Sequence, residues 1–368
     1  MSLAVLHVAQ PRDGGVAGYV AAACRDQLAR GWDVTVACPD GGRLADELVR
    51  LGVRRWSWAA VRGPGPVSLA EAARLRAIVD RTRPDVLHLH ASKAGLAGRL
   101  GPRRRPVLFQ PHGWSWLAVT GPLRAASLAW ERLAARRTDL LLCVGDAEAT
   151  VGRSHGVRGR YAVVHNGVDL DRFRPAGPGV RAAARVALGL PPDAPVAVCV
   201  GRLTRQKGQD LLLAAWPRVR ALVPGAYLVL VGDGELRAVL DDGTRPGVRF
   251  AGAVADVRPW LAAADVVVLP SRWEGLSLTV LEAAATGRPV VAGDVPGLAE
   301  MVGPDAGARV PPGATAELAG AVAARLRDPA RCAAEGAAAA RHAARHDVRQ
   351  TFARLAAETE RIAGRSGS

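Results

Sequence analysis

Residues 266–287 read Val-Val-Val-Leu-Pro-Ser-Arg-Trp-Glu-Gly-Leu-Ser-Leu-Thr-Val-Leu-Glu-Ala-Ala-Ala-Thr-Gly. The run 266–269 is short, apolar and β-branched, which is typical of a strand buried on both faces. A polar loop follows, and then a helical pattern over 279–286. A buried strand that leads through a loop into a helix is half of a parallel β-α-β unit. This stretch therefore predicts a parallel α/β domain.

The same alternation extends along the whole chain of 368 residues. Apolar strands separated by helices predict parallel sheets covered by helices on both faces. The predicted strands are residues 3–9, 33–38, 86–90, 106–110, 140–144, 161–165, 196–201, 227–232, 248–251, 266–269 and 290–292. The fold class is therefore α/β, with two Rossmann-like, doubly wound domains whose ligands are expected at the carboxyl ends of the strands, facing a central cleft.

A Pro- and Gly-rich stretch, residues 168–179, interrupts this pattern. A chain of this length is about two domains long. We expect an N-terminal, acceptor-side domain over 1–172 and a C-terminal, nucleotide-sugar-binding domain over 173–368. The last helix, about 347–362, follows the second domain and is able to cross back to the first.

The charge of the chain is strongly positive, with a formal net charge of +15. The first 172 residues hold 25 basic and 15 acidic side chains, and so most of the excess. A basic face is typical of proteins that meet nucleic acid, anionic membranes or phosphorylated ligands. No nucleic-acid recognition motif is present, which disfavours the first. Lys93 and Lys207 stand among 47 arginines, and they mark candidate sites where a compact point charge is needed.

The five cysteines are scattered and form no C-x-x-C pair, so the sequence predicts reduced thiols, with no disulfide framework and no zinc site. The first residues lack the basic start and the long apolar run of a signal peptide. No apolar run approaches the roughly 20 residues of a membrane span. We therefore expect a soluble, cytoplasmic protein.

The loop and helix start of residues 271–283 carry the strongest functional signal. The first turn of a helix presents unpaired backbone N–H groups and a positive dipole end, which suit a phosphate. Glu274 lies in the loop and Glu282 lies inside the helix, so the two carboxylates are not expected to act as one pair. Each can accept hydrogen bonds from a separate hydroxyl-bearing part of a ligand.

This segment resembles the signature of family-4 retaining glycosyltransferases of GT-B architecture, in which two glutamates are separated by seven residues. Other segments that match the family are 164–169, 201–208, 231–234 and 289–297. Ser277 departs from the family, which often has Gly there. The resemblance covers nearly the whole chain and implies a UDP-sugar or GDP-mannose donor as co-substrate, with no other cofactor.

The resemblance also implies roles for individual residues. Arg202 and Lys207 would neutralise the donor diphosphate, while Glu274 would hold hydroxyls of the transferred sugar and Glu282 the ribose. The base would lie near 250–254, mostly against main chain. The implied backbone contacts to phosphate, sugar and base are at Gly252, Val254, Gly275, Leu276, Ser277, Leu278 and Thr279.

In the first domain, Gly14 and Gly15 follow strand one and open a helix, so main chain can approach a diphosphate closely. The segment around these glycines lacks the G-x-G-x-x-G pattern of dinucleotide-binding enzymes. Asp40, however, lies at the end of the second strand, where a nicotinamide-dependent enzyme has an acidic residue that binds the ribose. The residues alone therefore leave a dehydrogenase open. The family resemblance instead places both glycines beside the donor phosphates and the acceptor.

Three histidines lie near predicted strand ends. His112 follows a strand, and its position matches the active-site histidine of the family, which contacts the donor sugar; a structural role is the alternative. His88 and His90 alternate on one strand and share a face. Metal binding by this pair needs a third ligand that the sequence does not place. The D-x-D of 169–171 lies in the hinge, and no metal is predicted.

The segment 123–137 interleaves Trp130 with arginines. A helix of this kind suits docking on anionic lipid, and it equally suits an ordinary core-facing helix. Residues 92–95 and 112–114 resemble exopolysaccharide enzymes that use polyprenyl-diphosphate acceptors. A peripheral site on the inner membrane face is thus one expectation.

The sequence as a whole predicts a metal-independent, retaining hexosyltransferase that moves a hexose or N-acetylhexosamine from a UDP-sugar to a polyprenyl-linked sugar or glycan. GDP-mannose is the rival donor. A UDP-sugar epimerase of the same architecture and a non-catalytic binding protein remain as alternatives.

Overall fold

All pairings between strands are parallel in the computed structural model, which describes residues 2–61, 63–100 and 105–364. Labels run along the chain. The strands are β1 (Ala4–Ala9), β2 (Asp33–Cys38), β3 (Arg54–Ser57), β4 (Val86–His90), β5 (Val107–Gln110), β6 (Leu140–Cys143), β7 (Tyr161–Val163), β8 (Val196–Val200), β9 (Tyr227–Val231), β10 (Val248–Gly252), β11 (Val266–Leu269), β12 (Val290–Gly293) and β13 (Gly307–Val310).

Helices connect these strands, as parallel pairing requires. They are α1 (Gly15–Ala29), α2 (Gly42–Arg50), α3 (Ser68–Thr82), α4 (Ala91–Arg99), α5 (Gly121–Ala134), α6 (Asp146–Ser154), α7 (Pro178–Ala187), α8 (Gln209–Leu222), α9 (Arg237–Leu240), α10 (Arg258–Ala263), α11 (Leu278–Ala285), α12 (Pro296–Ala299), α13 (Thr315–Leu326), α14 (Pro329–Ala343) and α15 (Val348–Ile362). Short 3-10 turns lie at Ser115–Leu117, Ala135–Arg137 and Arg205–Lys207.

The strands form two sheets with the same winding. The first has the order β3-β2-β1-β4-β5-β6-β7 and the second the order β10-β9-β8-β11-β12-β13. In each, the strand order reverses beside the first strand, between β1 and β4 and between β8 and β11. Loops diverge at such a switch point and leave a crevice for ligands at the strand carboxyl ends. The predicted fold class is confirmed.

The chain divides into two units, Met1–His165 with Gln350–Ser368 and Asn166–Arg349. The division falls seven residues before the predicted boundary of 172/173, and most of α15 belongs to the first unit. Val168 explains the shift, because its backbone bonds to His346 and Val348 within the second unit. In the first unit, Thr351 at the start of α15 donates to the His165 carbonyl.

Apolar side chains fill both faces of each sheet. In the first unit, one cluster includes Leu6, Leu89 and Phe109, and another includes Val5, Val36 and Ala356 from α15. In the second unit, β8, β9 and β11 pack against α8 and α13 through residues such as Leu228, Trp216 and Val322. These rigid sheets hold the loops that follow their strands.

Candidate active site

The switch point of the second unit brings together the loops that follow β8 and β11. These strands are neighbours, with Val266 opposite Ala197. Their carboxyl ends lead into segments 201–208 and 270–277, which carry most of the site residues predicted for this unit. Two sequence motifs about 70 residues apart are therefore adjacent in space.

An ion pair joins these two loops directly. The Lys207 ammonium lies 2.6 Å from Glu274 Oε1, and the two side chains are 17% and 7% exposed. The Ser271 hydroxyl donates to the same carboxylate oxygen at 2.8 Å. The aliphatic stem of Lys207 passes over Gly201, where a Cβ would lie 3.4 Å from Lys207 Cδ. A cation and a carboxylate are thus fixed side by side, with little water around them.

A second ion pair fastens the loop after β11 to helix α8. The Arg272 guanidinium donates two hydrogen bonds to Asp210, at 2.8 and 2.6 Å. The Gln206 side chain donates to the Trp273 carbonyl, and the Arg272 amide donates to the Gln206 carbonyl. Arg272 hydrogen bonding holds the pKa of the Asp210 carboxyl below its usual value. These contacts position Glu274 without touching it.

Two glycines allow the loops to approach one another. At Gly208, which has φ of +69°, an added Cβ would lie 2.1 Å from the Pro270 carbonyl oxygen. At Gly297 in α12, it would lie 1.5 Å from the Gly275 carbonyl oxygen. No side chain fits at such distances, so the loop geometry depends on glycine at both positions.

Helix α11 begins at the edge of this site. Ser277 is its N-cap residue and is buried, and its hydroxyl makes no capping hydrogen bond to the described residues. The amides of Leu278 and Thr279 lie in the first turn, where helix geometry gives them no partner four residues back. The buried Asn166 side chain donates to the Leu276 carbonyl at 2.8 Å and fixes the preceding loop. The backbone N–H groups at this helix start can donate hydrogen bonds to a phosphate oxygen.

The remaining predicted residues of this unit lie on other loops and helices and differ in exposure. Arg202 follows β8 after Gly201 and is exposed, while Glu282 lies in the second turn of α11 and is half-buried. Gly252 ends β10 with φ of +75°, and its carbonyl accepts from the Gly232 amide at 2.8 Å. Val254 follows in the loop and is half-buried. Gly275 lies between Glu274 and the helix.

In the first unit, Gly14 and Gly15 lie at the carboxyl end of β1, beside that unit's own switch point. Gly14 is the N-cap of α1 with φ of +85°, and both glycines are exposed. The Asp13 carboxylate follows β1 as well, and its Oδ1 accepts a hydrogen bond from the Arg43 amide. The exposed main chain at this helix start is the feature that the sequence predicted.

His112 follows β5 and has a left-handed backbone, with φ of +52°. Such a conformation is uncommon for a residue with a Cβ and is found where local structure imposes it, often at functional sites. His112 Nε2 lies 3.1 Å from His90 Nδ1, and the Tyr19 ring meets the imidazole edge-on at 5.1 Å. Burial lowers the pKa of His112, so the ring is neutral near pH 7.

Comparison with known proteins settles the family. Residues 13–172 match the model "Glycosyltransferase Family 4", and residues 194–328 match "Glycosyl transferases group 1". A GDP-mannose-dependent alpha-(1-6)-phosphatidylinositol monomannoside mannosyltransferase of Mycolicibacterium smegmatis is 33% identical, over 89% of this chain and 90% of the relative. The chain belongs to glycosyltransferase family 4.

Other members of family 4 are also similar. A UDP-Gal:alpha-D-GlcNAc-diphosphoundecaprenol alpha-1,3-galactosyltransferase of Escherichia coli is 31% identical, over 72% of each chain. The crystal structure of Anabaena HepE in complex with UDP and glucose superposes with a TM-score of 0.81, at 22% identity, over 97% of this chain and 99% of that one. The fold of this glycosyltransferase is therefore GT-B.

Membership of this family removes the dehydrogenase alternative, and the structure gives Asp40 another role. Its carboxylate accepts from Ser57 at 2.6 Å and pairs with Arg55. The Asp169 carboxylate accepts from the amides of Asp171 and Arg172, which makes the D-x-D a turn. Both aspartates thus have local structural partners.

The two lysines of this glycosyltransferase differ in role. Lys207 lies in the candidate site, whereas Lys93 is buried beneath α3, where its ammonium pairs with Glu71 and donates to Gly63 and Ser68. All three N–H groups of Lys93 therefore have partners inside the first unit. Of the two lysines that the sequence marked as candidate sites, Lys207 therefore lies in the candidate site and Lys93 has a structural role.

Sequence reasoning missed Ser271, Asp210 and Asn166 as parts of the site. Ser271 and Asn166 lie within matched motifs, but their contacts depend on tertiary geometry. Asp210 gave a weak signal as an acid in the first turn of α8. The sequence also missed His7, which joins His88 and His90 on one buried face; the ligand nitrogens of these three rings lie within 4.8 Å of one another.

Several other expectations concern the rest of the molecule. All five cysteines are free. Among the described residues, no helix combines the length and apolar character needed to cross a bilayer. Trp114 and Trp116 are buried in the core, where their rings stack with centroids 4.7 Å apart, so neither side chain is available at the protein surface. Helix α5 by contrast exposes Leu123 and Leu133.

Proposed function

We propose that this family-4 glycosyltransferase moves a hexose or N-acetylhexosamine from a UDP-sugar to an acceptor with retention of configuration. The observation that supports the proposal is the Lys207–Glu274 pair beside the first turn of α11. A donor needs cationic and amide groups for its diphosphate and a carboxylate for its sugar hydroxyls. Lys207, the start of α11 and Glu274 supply these from adjacent loops.

The donor would be bound in parts. Arg202, Lys207 and the amides from Gly275 to Thr279 would hold the diphosphate, and Glu282 the ribose. The base would lie along 250–254, against main chain. Glu274 would accept hydrogen bonds from the sugar. His112, Gly14 and Gly15, all in the first unit, are proposed as further substrate contacts.

Without a donor, Lys207 and Glu274 neutralise each other. When a diphosphate binds, the ammonium can bond phosphate oxygens while the carboxylate turns to sugar hydroxyls. Glu274 is held by a lysine and a serine, which suits a binding group better than a covalent nucleophile. We therefore favour front-face substitution.

In this reaction, the bond between the anomeric carbon and the diphosphate oxygen breaks while the acceptor oxygen bonds to the same face of that carbon. The acceptor proton passes to the departing phosphate oxygen. Lys207 and Arg202 stabilise the charge that grows on that phosphate. We propose that these side chains replace a metal ion, so that activity persists in excess EDTA.

The stereochemical outcome tests the mechanism. NMR of the product should give the anomeric configuration of the donor, and inversion would overturn front-face substitution. An epimerase of the same architecture is separated by incubation with UDP-GlcNAc alone, because it would form an epimer without an acceptor. A binding protein without catalysis would keep its binding unchanged in Lys207→Ala and Glu274→Gln.

GDP-mannose is the second candidate donor. The observation that favours it is the similarity to the GDP-mannose-dependent mannosyltransferase over 89% of the chain. A thermal-shift panel of UDP- and GDP-sugars distinguishes the two, since a ligand at 100 times its Kd stabilises by about 2.7 kcal/mol. If GDP-mannose stabilises the protein and no UDP-sugar does, GDP-mannose becomes the proposed donor.

We further propose a lipid-linked acceptor, of the polyprenyl-linked sugar or glycan class, met at an anionic membrane surface. The galactosyltransferase relative is named for a diphosphoundecaprenol acceptor. Helix α5 exposes Leu123, next to Arg124, and Leu133 near its C-terminal end. A basic hollow of about 400 Å³ lies at that end, lined by Arg132, Arg136, Gly156 and Arg158.

A further inference from the structure

A chain of buried polar side chains leads from the interior of the first unit to His112. His7 on β1 lies opposite His88 on β4, and His90 follows two residues later. Side chains two apart on a strand, or opposite on neighbouring strands, share one face. All three histidines are 0% exposed. Gln27, from α1, reaches the same cluster and is also buried.

The hydrogen bonds in this chain run in one line. Gln27 Oε1 lies 2.8 Å from His7 Nε2, His7 Nδ1 lies 2.9 Å from His90 Nε2, and His90 Nδ1 lies 3.1 Å from His112 Nε2. His88 stands beside this line, with its Nε2 3.1 Å from Gln110 Oε1. Both ring nitrogens of His7 and His90 are therefore used within the line.

A neutral imidazole carries one proton, so each bond in the line fixes the next. The Gln27 oxygen can only accept, which places the His7 proton on Nε2 and leaves Nδ1 as an acceptor. His90 must then donate from Nε2, and its Nδ1 accepts from His112. The proton of His112 thus lies on Nε2, and Nδ1 keeps its lone pair.

We propose that Gln27, His7 and His90 are positioning residues that hold His112 in the Nε2–H tautomer, so that Nδ1 accepts a hydrogen bond from a substrate hydroxyl. The role of His112 toward substrate rests on the proposed function, whereas the tautomer rests on the line of hydrogen bonds and on the burial that keeps its rings neutral. A donor-sugar hydroxyl that meets this nitrogen must donate its proton. Because the protein fixes the tautomer of the ring before substrate binds, no free energy is lost in selecting that tautomer during the reaction.

Burial keeps the rings in the line neutral. Desolvation lowers the pKa of His7 to about 4 and places the pKa of His90 well below its usual value, with the neighbouring histidines adding to the decrease. A protonated ring would donate from both nitrogens and reverse the bonds beyond it. Neutrality therefore gives the line one direction near pH 7.

A metal ion is a poorer occupant of this cluster. His7 and His90 use the nitrogens that face each other for a mutual hydrogen bond, which a metal would have to break. Among the described residues, the rings hydrogen-bond to glutamines and to one another, and these partners offer no negative charge to a buried divalent cation.

Nitrogen-15 NMR on the histidine-labelled full chain tests the tautomer without any substrate. We expect His112 with its proton on Nε2 and a scalar coupling between His112 Nε2 and His90 Nδ1 across the N–H···N bond. Signals are assigned by their loss in His112→Asn and His90→Asn. A proton on Nδ1 of His112 would overturn the proposal, and would mean that the Gln27 amide is turned and every bond reversed.

Gln27→Met tests the origin of the effect, and Gln110→Met is its matched control. Both remove a buried amide that accepts from a histidine, but Gln110 serves His88, outside the line. We expect Gln27→Met to mix the His112 tautomers, and Gln110→Met to keep the wild-type signal. An unchanged His112 in folded Gln27→Met would contradict the relay. If Gln27→Met does not fold, the wild-type coupling decides alone.

Kinetics then separate positioning from stability. With UDP-glucose or GDP-mannose, whichever the wild type turns over, Gln27→Met should lower kcat roughly tenfold, equivalent to about 1.4 kcal/mol, with little change in KM. Equal kcat in Gln27→Met and wild type would overturn the catalytic consequence. If neither donor is turned over, the proposed function fails while the NMR result stands.

Discussion

Lys207 and Glu274 are each other's nearest opposite charge, and this mutual dependence makes their separate roles measurable. Lys207→Ala removes the compact cation proposed to stabilise the departing phosphate. Loss of one such group typically costs 10²–10³-fold in kcat. We expect a decrease of about that size in nucleotide release from the donor, measured at saturating donor concentration.

The control for Lys207 is Arg205→Ala, in the same 3-10 turn. It removes one positive charge from an exposed side chain, while the contact that Arg205 makes to Arg272 is through its carbonyl and remains. Activity within about twofold of wild type is expected, because an exposed charge is screened by solvent. An equal loss in both variants would mean that Lys207 acts through net charge rather than position.

Asp210 gives a pH-dependent contribution to stability. Because Arg272 lowers the pKa of Asp210 in the folded state, the pair stabilises the fold above the unfolded-state pKa, and that stabilisation is lost as pH falls through the folded-state pKa. Both side chains are partly exposed, so we expect a coupling free energy of only about 0.5–1 kcal/mol near pH 7. Urea unfolding of Asp210→Asn, Arg272→Gln and the double variant gives this value as a cycle. A coupling that stays unchanged as the pH is lowered until the Asp210 carboxyl is protonated would contradict the assignment.

At the scale of elements, α12 is held against the loop after β11 by contact between backbones. Gly297→Ala places a methyl group where the Gly275 carbonyl lies, so the loop or the helix must move. We expect donor binding to weaken at least tenfold, since a displaced loop moves Glu274 and the start of α11. Isothermal titration with the nucleoside diphosphate product measures this loss.

Gly320→Ala, within α13, is the matched control. A Cβ at Gly320 meets nothing within 4 Å. Alanine in a helix interior should stabilise the protein by about 0.4–1 kcal/mol, seen as a higher Tm, with unchanged nucleotide affinity. Unchanged affinity in Gly297→Ala as well would show that the close approach is not needed for the site.

Elements were predictable from the sequence where burial alone decides their pattern. Strands β2, β4 and β11 have the predicted bounds, because almost all of their residues are buried and the β-branched and leucine residues in them give a strand pattern without reference to a partner. Strand β3 reads Arg-Arg-Trp-Ser, is largely exposed at the edge of its sheet, and owes its conformation to β2. It was missed, as was the edge strand β13. Pairing, rather than local composition, forms such edge strands.

At the scale of the whole molecule, motifs located the candidate site but not its contacts. The sequence placed Lys207 and Glu274 in separate roles, and the pairing of β8 with β11 is what brings them to 2.6 Å. Likewise, His88 and His90 were seen on one strand, but His7 joins them only because β1 is the neighbour of β4. Sheet order is a non-local property, so one chain read along its length does not reveal such contacts.

The excess positive charge of the chain gives the last prediction, on membrane docking. Helix α5 exposes 45% of Leu123 and 56% of Leu133, and Arg124 and Arg136 are exposed nearby. Apolar side chains inserted among basic ones bind anionic lipid, with roughly 1 kcal/mol from each basic residue near the surface. We expect the full chain to co-sediment with phosphatidylglycerol vesicles but not with phosphatidylcholine vesicles, and less so at high salt.

Leu123→Glu with Leu133→Glu should weaken this vesicle binding at least fivefold, because two carboxylates replace the inserted side chains and oppose the lipid charge. The matched control is Val186→Glu in α7, where an equally apolar side chain is 77% exposed in the second unit. Charge alone would weaken binding in proportion to the number of carboxylates added, wherever they lie. If α5 inserts into the membrane, Val186→Glu should bind vesicles as the wild type does. A comparable loss of binding in both variants would show that α5 does not insert.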